Sequence, residues 1–446
     1  MSQITKPIIL DETGQKIVGE LQGLKRAIEK GAGGTVYGFH INGNESDPEA
    51  AVTYLGDAMG LTPAHMNYST GAFDYGSWED AFFMPRPCML KNDGSVDYYL
   101  NVNNYAKKAD GVTNSDIANS AYAGNAMMEW GRDGKKIWLK IEPSADKKSA
   151  RIYIADYQAD DSFHDWSFHD ANGNSVDHFY TPIYNGSVSD GVMRSLSGQA
   201  LSKTINTTAQ RTAAKANNPS GSLMWDIECF ADRLLINMLL VLMGKNLDTQ
   251  KVFGQGATSG GNEEINDTYR TGVHNDKGLF YGTNSGSVAA NSFGNCVKVF
   301  GMENYWGLQW RRTCGLMMSG GDIKVKLTRV TEDGTTVTDY NENASGYIST
   351  GISPSNGTEN ESAGGYIKSH KFSDKGMFMS DLVGDSAHYY CDYGWYHRTA
   401  TTFALFGGAS DYGSNCGAFY CHLNGTAGGT TWNVGAALSC KPLAAA

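Results

Sequence analysis

Charged residues are scarce in this chain, at 19% of 446 residues, against roughly 25% in ordinary soluble proteins. Positive charge is the scarcer kind, because 36 Lys and Arg stand against 47 Asp and Glu and leave a net charge of -11. Proteins that bind nucleic acid need clustered Lys and Arg to meet the phosphates, and the sequence has no basic stripe. The composition therefore argues against a nucleic-acid partner.

Long apolar runs are also missing. The most apolar stretch, Leu234 to Met243, is about half the length that crosses a bilayer. Met1 to Gly14 lacks the apolar core of a signal peptide. We therefore expect no membrane insertion. We also expect the 8 cysteines to be made reduced and to serve mostly as small buried hydrophobic residues.

Proline is rare and glycine is abundant, with 10 and 54 residues respectively. Many glycines favour tight turns over a helical bundle, while 41% hydrophobic residues suffice for real cores. A chain of this length is expected to form two or three units. The sequence predicts an α+β fold with much irregular loop structure, divided at residues 34 and 114.

Residues 1–34 are predicted to form an N-terminal helix. Ile17, Leu21, Leu24 and Ile28 recur at spacings of four, three and four, as in the seam of a coiled coil. The Gly-Ala-Gly-Gly segment at 31–34 ends this helix and makes a flexible joint. Two interpretations stay open: an oligomerising or anchoring coiled coil, and a short amphipathic helix lying on its own domain.

Residues 35–114 are predicted to form a small α+β module, and residues 115–443 one large domain. Strands are expected in the module at Thr35–Ile41, Met84–Leu90 and Tyr98–Val102. In the large domain, Ile137–Ile141 and Arg151–Ile154 alternate like the two arms of a hairpin.

A helix is predicted from Ser222, as its cap, to Met243, and Gly244 ends it. Its last turns are apolar on all sides, so the helix is expected to be buried. Residues 444–446, Ala-Ala-Ala, are interpreted as a cloning scar and excluded.

The segment from Thr401 to Pro442 alternates two kinds of sequence. We call its rigid positions the glycine frame, consisting of Gly407, Gly408, Gly417, Phe419, Trp432 and Gly435. Between them lie short runs of Ala, Ser, Asp, Tyr, Asn, His and Thr, which make adaptable contacts at low entropic cost. Glycines allow backbone shapes that other residues resist. This pattern is typical of a recognition surface.

Three landmarks in this order resemble a known family. They are the buried helix followed by MGKNLDTQ at 243–250, GMENYWGLQW at 301–310, and the glycine frame. Together they resemble the C-type-lectin fold in its formylglycine-generating-enzyme-like form. More narrowly, they look like phage tail receptor-binding proteins, including the variable proteins of diversity-generating retroelements. Residues 87–91 and 98–101 are similar to the N-terminal module of tail proteins from phages of Gram-positive and gut bacteria.

This resemblance implies a C-type-lectin-like C-terminal domain that displays variable side chains on a fixed scaffold. In such families diversification acts on adenines, so codons of the Asn and Tyr type drift toward Ser, Asp, Gly, Thr, Ala, His and Cys. The positions that match are Ala409, Asp411, Tyr412, Asn415, Tyr420, His422, Asn424, Thr430, Thr431 and Asn433. A plain fixed loop accounts for the same residues, and that alternative stays open.

An enzyme is the first rival hypothesis, because the namesake of the fold uses a cysteine pair as an oxidase. Cys416 and Cys421 stand five apart, as that pair does, and two thiolates could hold Cu(I). The surroundings depart from the enzyme, since Phe406 stands where an Arg usually precedes Gly-Gly. We therefore expect no catalytic residues, no cofactor and no enzyme activity.

Two further kinds of site, a metal site and a glycosidase site, have weaker support in the sequence. His164, His169 and His178 lie close in sequence but lack the spacing of a zinc site, and the segment 170–174 starts like a calcium loop without its Glu. A polar turn and a structural cation both stay open there, and no metal is predicted. Three carboxylates at or beside the predicted helix suggest glycoside cleavage or buried ion pairs, namely Asp226, Glu228 and Asp232.

Aromatic residues add a final set of candidates. Trp306 and Trp310 are four apart, as on a helical turn, and are expected to fill the core. Tyr396 and His397 come just before the variable-looking loops and are predicted to touch ligand.

The resemblance thus implies a tail receptor-binding protein located in the phage virion and made in the cytoplasm of the bacterial host. Its expected partners are a bacterial surface receptor, either protein or glycan, and other tail proteins. A homotrimer is expected. A purely structural virion protein is the second rival hypothesis.

Overall fold

The computed structural model describes residues 34–218, 220, 223–331 and 334–444. Residues 1–33, which hold the predicted N-terminal helix and most of its glycine-rich joint, lie outside the described residues. Ser222, the predicted cap of the later helix, also lies outside them. The strands, in chain order, are β1 (Val36–Ile41), β2 (Val52–Gly56), β3 (His65–Asn67), β4 (Ala72–Asp74), β5 (Arg86–Lys91), β6 (Val96–Asn101), β7 (Asn104–Lys108), β8 (Gly124–Trp130), β9 (Trp138–Pro143), β10 (Ala150–Ala155), β11 (Phe179–Pro182), β12 (Ser187–Ser189), β13 (Val192–Arg194), β14 (Trp225–Ile227), β15 (Lys298–Val299), β16 (Met302–Glu303), β17 (Trp310–Ser319), β18 (Asp322–Val325), β19 (Ile348–Ser349), β20 (Ser362–Tyr366), β21 (Ser369–Ser373), β22 (Gly376–Asp381), β23 (Tyr393–His397), β24 (Thr402–Phe406), β25 (Cys421–Leu423), β26 (Val434–Gly435) and β27 (Leu438–Cys440).

Helices are few and mostly short. The α-helices are α1 (Thr207–Lys215), α2 (Phe230–Gly244), α3 (Thr249–Phe253) and α4 (Glu263–Thr268). Single 3₁₀ turns occupy Arg132–Gly134, Trp166–Phe168 and Gly413–Asn415. The described chain is therefore mostly β, and the expected α+β balance overstated its helix content because glycine-rich segments form short strands and turns instead.

Three larger sheets organise the strands. One runs β2-β1-β10-β9, a second runs β14-β27-β11-β8-β5-β6-β7, and a third runs β19-β18-β17-β24-β25-β23-β20 with β26 added beside β17. The first two sheets join strands from both sides of the predicted boundary at residue 114. One continuous apolar core extends from Phe39 to Cys440 and is shared by these sheets.

The hairpin predicted from alternation is confirmed. β9 and β10 pair antiparallel, with Ile141 opposite Ile152 and Leu139 opposite Ile154. These four side chains are buried on one face, as expected for residues two apart on a strand. The strands predicted in the module also form, as β1, β5 and β6.

The long predicted helix is confirmed only in its second part. α2 begins at Phe230 and ends at Gly244, with every residue buried. The residues before it form β14, which pairs with β27 so that Trp225 lies opposite Cys440. The apolar spacing of this segment predicted a helix, but strand pairing with the C-terminal segment and complete burial of Trp225 stabilise a strand instead.

No helix within the described ranges is long and apolar enough to cross a membrane.

Asp226 in β14 lies at the centre of a buried cluster of charged side chains. Asp226 accepts hydrogen bonds from Arg211 at 2.8 and 3.1 Å and from Arg329 at 2.6 Å. Burial raises the pKa of the Asp226 carboxyl, but the charges of Arg211 and Arg329 outweigh burial, so the pKa lies below its ordinary value. All three side chains are within the core, where a lone charge is costly.

We predict that Asp226→Asn lowers the free energy of unfolding by about 3–5 kcal/mol, because it removes the buried counter-charge of Arg211 and Arg329 and leaves them the partly exposed carboxylate of Asp339. Urea unfolding at pH 7 measures the loss. Asp267→Asn, which removes an exposed partner of Lys203, serves as the control and should cost less than about 1 kcal/mol.

The same pair of variants gives a pH test. The folded pKa of Asp226 is depressed, so its contribution is complete above the ordinary carboxyl pKa of about 3.9 and is lost as pH falls through the lower folded value. The stability gap between the parent and Asp226→Asn should therefore narrow below about pH 4. A gap that is constant from pH 7 to pH 3 would contradict this assignment.

Candidate functional site

The glycines of the glycine frame occupy positions that no larger residue fits. Gly407 and Gly408 have φ angles of 90° and 84°, in the left-handed region. A Cβ atom on Gly408 would lie 2.3 Å from the Cys416 sulfur, and one on Gly435 would lie 2.1 Å from the Gln309 side chain. A Cβ atom on Gly417 would lie 2.0 Å from a carboxylate oxygen of Asp392. The prediction that these glycines hold the geometry is confirmed.

The predicted contact residues do not all face solvent. Those that are exposed or partly exposed are His397, Asp411, Tyr412, Asn415, His422, Asn424, Thr430, Thr431 and Asn433. Three predicted contact residues are buried and cannot meet a ligand directly, namely Tyr396, Ala409 and Tyr420. For these three positions the prediction was wrong.

Strand direction and packing explain these three errors. Tyr396 lies in β23 between two neighbouring strands, and its hydroxyl donates to the partly buried Asn356 at 3.2 Å. Tyr420 packs edge-to-face on Trp310, with ring centroids 4.4 Å apart. Ala409 belongs to the central apolar core. Small or aromatic residue type alone does not separate an inward position from an outward one.

Four of the predicted residues meet in one groove. We call it the C-terminal groove; its volume is about 360 Å³ and its lining includes Trp310, Arg312, Tyr412, His422, Thr431, Trp432 and Asn433. The Thr431 hydroxyl donates to the Asn433 side chain at 2.9 Å on one wall. The groove lies over β17, β24 and β25, so strands rather than free loops carry much of its floor.

Aromatic rings form the floor and one wall of the C-terminal groove. Trp310 is buried and takes edge-to-face contacts from Tyr412, Tyr420 and His422, with centroid distances of 5.3, 4.4 and 5.3 Å. Burial lowers the pKa of His422 to about 4, so the imidazole is neutral near pH 7. The predicted core role of Trp306 and Trp310 is confirmed, although Trp310 begins a strand and not a helical turn.

Trp432 departs from its predicted role in the glycine frame. It is partly exposed and lines the C-terminal groove, where it offers a contact surface. Arg312 is the main residue that the sequence reasoning missed. Trp310 and Arg312 are two apart on β17, and residues two apart on a strand share a face. Recognising β17 as a strand would have placed Arg312 beside Trp310.

The residues of the rival chemistries lie elsewhere and are held in other interactions. Cys416 and Cys421 are buried, and burial raises the pKa of both thiols, which disfavours the thiolate form that binds metal or attacks substrate. Glu228 pairs with Arg311 at 2.9 Å, and Asp232 pairs with Lys441 at 2.7 Å. With Asp226, these carboxylates serve buried ion pairs.

Cavity size is a second difference between the surroundings of these carboxylates and the C-terminal groove. The cavity beside Asp226 measures about 20 Å³, which is room for a water molecule and not for a sugar. The C-terminal groove is larger than this cavity and is lined by none of the carboxylates that suggested glycoside cleavage.

A matched pair of glycine substitutions tests the glycine frame. Gly413→Ala meets no atom within 4 Å and carries only the strain of φ 58°, so we expect a loss of about 1 kcal/mol. Gly408→Ala adds the clash with the Cys416 sulfur to a similar backbone strain and should cost at least twice as much. Urea unfolding of both variants checks this ranking, and equal losses would contradict a tightly packed frame.

Comparison with known proteins adds no information about the residues of the C-terminal groove. No family model and no curated protein matches the sequence. Three solved structures are similar in arrangement: the Major Tropism Determinant U1, M1 and P3c variants, at 13%, 14% and 13% identity. Their TM-scores are 0.27, 0.27 and 0.28, and each match covers 80% of this chain and 72% of the other. The C-terminal groove, and not this distant likeness, supports the function proposed for the chain.

Proposed function

We propose that this chain is a phage tail receptor-binding protein that recognises a bacterial surface ligand through the C-terminal groove, without chemical turnover. One observation carries the proposal. Tyr412, His422, Thr431 and Asn433, which come from separate parts of the predicted variable segment, converge on one groove of about 360 Å³. Ligand pockets commonly measure about 300–1,000 Å³ and combine aromatic walls with a few polar groups.

The setting of these side chains suits binding. Main-chain positions around them are constrained by glycines that tolerate no Cβ, such as Gly408 and Gly417. A rigid backbone lets the outward side chains meet a ligand without a further ordering cost. The wall residues Tyr412, Thr431 and Asn433 offer ring faces, hydroxyls and an amide, which are the groups common in adaptable recognition surfaces.

The groove chemistry favours binding over catalysis. Among its described lining residues there is no carboxylate and no thiol, and His422 is a neutral ring packed on Trp310. Acid–base or nucleophilic catalysis needs such groups within hydrogen-bond reach of the substrate. We therefore propose that the protein is not an enzyme and needs no cofactor.

The remaining parts of the proposal concern assembly. We propose a homotrimer in the tail of the virion, attached through other tail proteins, with neither nucleic acid nor an inserted membrane as partner. Several copies on one tail would raise a weak single-site affinity through effective concentration. The net charge of -11 agrees with a partner other than nucleic acid.

Retention on cells tests the function. The triple variant Tyr412→Ala, Thr431→Ala and Asn433→Ala removes three partly or fully exposed groove contacts. We expect fluorescently labelled parent protein to be retained on intact cells of at least one strain in a bacterial panel. The triple variant should lose at least tenfold in apparent affinity, which corresponds to about 1.4 kcal/mol.

The control uses the same residue types on other exposed positions: Tyr157→Ala, Thr113→Ala and Asn119→Ala. It should be retained like the parent. Equal retention of both triple variants would overturn the assignment of binding to the C-terminal groove, and absence of retention on every strain would overturn receptor binding and support the structural virion protein instead. Turnover that depends on Cys421, tested with Cys421→Ser, would support the oxidase.

A further inference from the structure

Two neighbouring arginines on β17 face opposite sides and have opposite surroundings. Arg311 is buried and has a charged partner: it donates to Glu228 at 2.9 Å and to Asn185 at 3.0 Å. Arg312 is almost as buried, at 3% exposure, but it lines the C-terminal groove. The alternation of side chains along a strand explains why one guanidinium enters the core and the next enters the groove.

Within the described part of the chain, Arg312 lacks the ion-paired carboxylate that Arg311 has. Its described partners are neutral: the Thr207 hydroxyl at 3.4 Å and the Gly429 carbonyl at 2.5 Å. Its Nε–H, like that of Arg311, has no hydrogen-bond partner among the described residues. Glu342 is the acidic group whose charge acts on it, and both Glu342 oxygens accept from Thr208 at 2.8 Å.

Keeping a cation in this position is costly without an anion. Burial lowers the pKa of Arg312 to about 10, yet the group remains protonated at pH 7. Buried charges in proteins are normally paired, and a buried donor left without a partner destabilises the fold. Arg312 is therefore a buried cation that contacts no described carboxylate and that lines the C-terminal groove.

We propose that the C-terminal groove binds a carbohydrate that carries a carboxylate, a uronic or sialic type of sugar, with Arg312 as the anion-binding residue. The inference rests on the proposed function and names its ligand class. A guanidinium offers a planar fork of donors that matches a carboxylate.

The rest of the groove favours a sugar acid over other anions. Tyr412, His422 and Trp432 present rings, which suit the C–H face of a pyranose, while Thr431 and Asn433 can exchange hydrogen bonds with its hydroxyls. A phosphate carries more charge and usually gathers several cations or N–H groups. In the described lining Arg312 is the one cationic side chain, so a singly charged carboxylate fits better.

A paired-ligand titration of the full chain tests the inference without any variant. The probes are the methyl glycosides of glucuronate, galacturonate and N-acetylneuraminate, each beside its neutral methyl ester, followed by ligand-observed NMR. We expect at least one free acid to bind and its ester to bind at least tenfold more weakly. Raising NaCl from 50 mM to 500 mM should weaken binding of the acid and leave the ester unchanged, because salt screens charge.

Substitution then assigns the charge to Arg312. Arg312→Gln should reduce affinity for the acid at least tenfold and leave affinity for the ester unchanged. Arg312→Lys keeps the charge but loses the fork, and it should fall between the two. Arg151→Gln removes an exposed arginine from β10 and is the matched control, with unchanged binding. Because Arg312 forms no ion pair with a described residue, Arg312→Gln should retain the thermal midpoint of the parent within a few degrees.

Several results would overturn the inference. They are failure of all three acids to bind, equal binding of acid and ester, or binding of a Glu-containing hexapeptide in place of the sugars. If cells retain the protein through the groove but no acid sugar binds, the ligand class is wrong and the receptor-binding function stands. If an acid sugar binds at Arg312 but no cells retain the protein, the receptor-binding function is wrong and the sugar site stands.

Discussion

Burial of α2 on every side is the constraint on which the candidate site depends. A helix without an exposed face must pair each of its polar side chains inside the protein. Asn237 donates to the Ala418 carbonyl at 2.9 Å and accepts from the Tyr305 hydroxyl at 2.9 Å. Arg233 lies over the Tyr305 ring at 4.0 Å and donates to the Tyr305 carbonyl at 3.1 Å. The helix thus fixes the turn at 417–420 from below.

That support explains how a segment with so much glycine can be rigid. Gly408 and Gly417 are held where their hydrogen atoms touch Cys416 and Asp392, so the glycines adopt one conformation despite their freedom. The Phe419 amide donates to Asp392 at 2.7 Å and closes the turn. The main chain of this segment is thus held from its inner side by contacts with α2, Cys416 and Asp392.

The sequence predicted the elements that depend on local patterns, and its predictions were wrong where contacts between residues distant in the chain determine the structure. The β9–β10 hairpin and the end of α2 follow from alternation and from Gly244, and both were predicted. The start of α2 was missed, since Trp225–Ile227 pairs with residues about two hundred positions later. Tyr420 and Tyr412 have the same side chain and lie eight residues apart, yet only Tyr412 reaches the groove surface.

The amino-acid sequence by itself determined that the chain is glycine-rich and acidic, that β9 and β10 form a hairpin, and that its C-terminal segment alternates the glycine frame with small polar residues and Tyr. It did so because turn formation, strand alternation and net charge are properties of neighbouring residues. Only the tertiary structure decided which of those polar residues and Tyr share one groove, and that Arg311 pairs with Glu228 while Arg312 contacts no described carboxylate. Ion pairing and burial depend on groups distant in the chain, and packing alone brings those groups together.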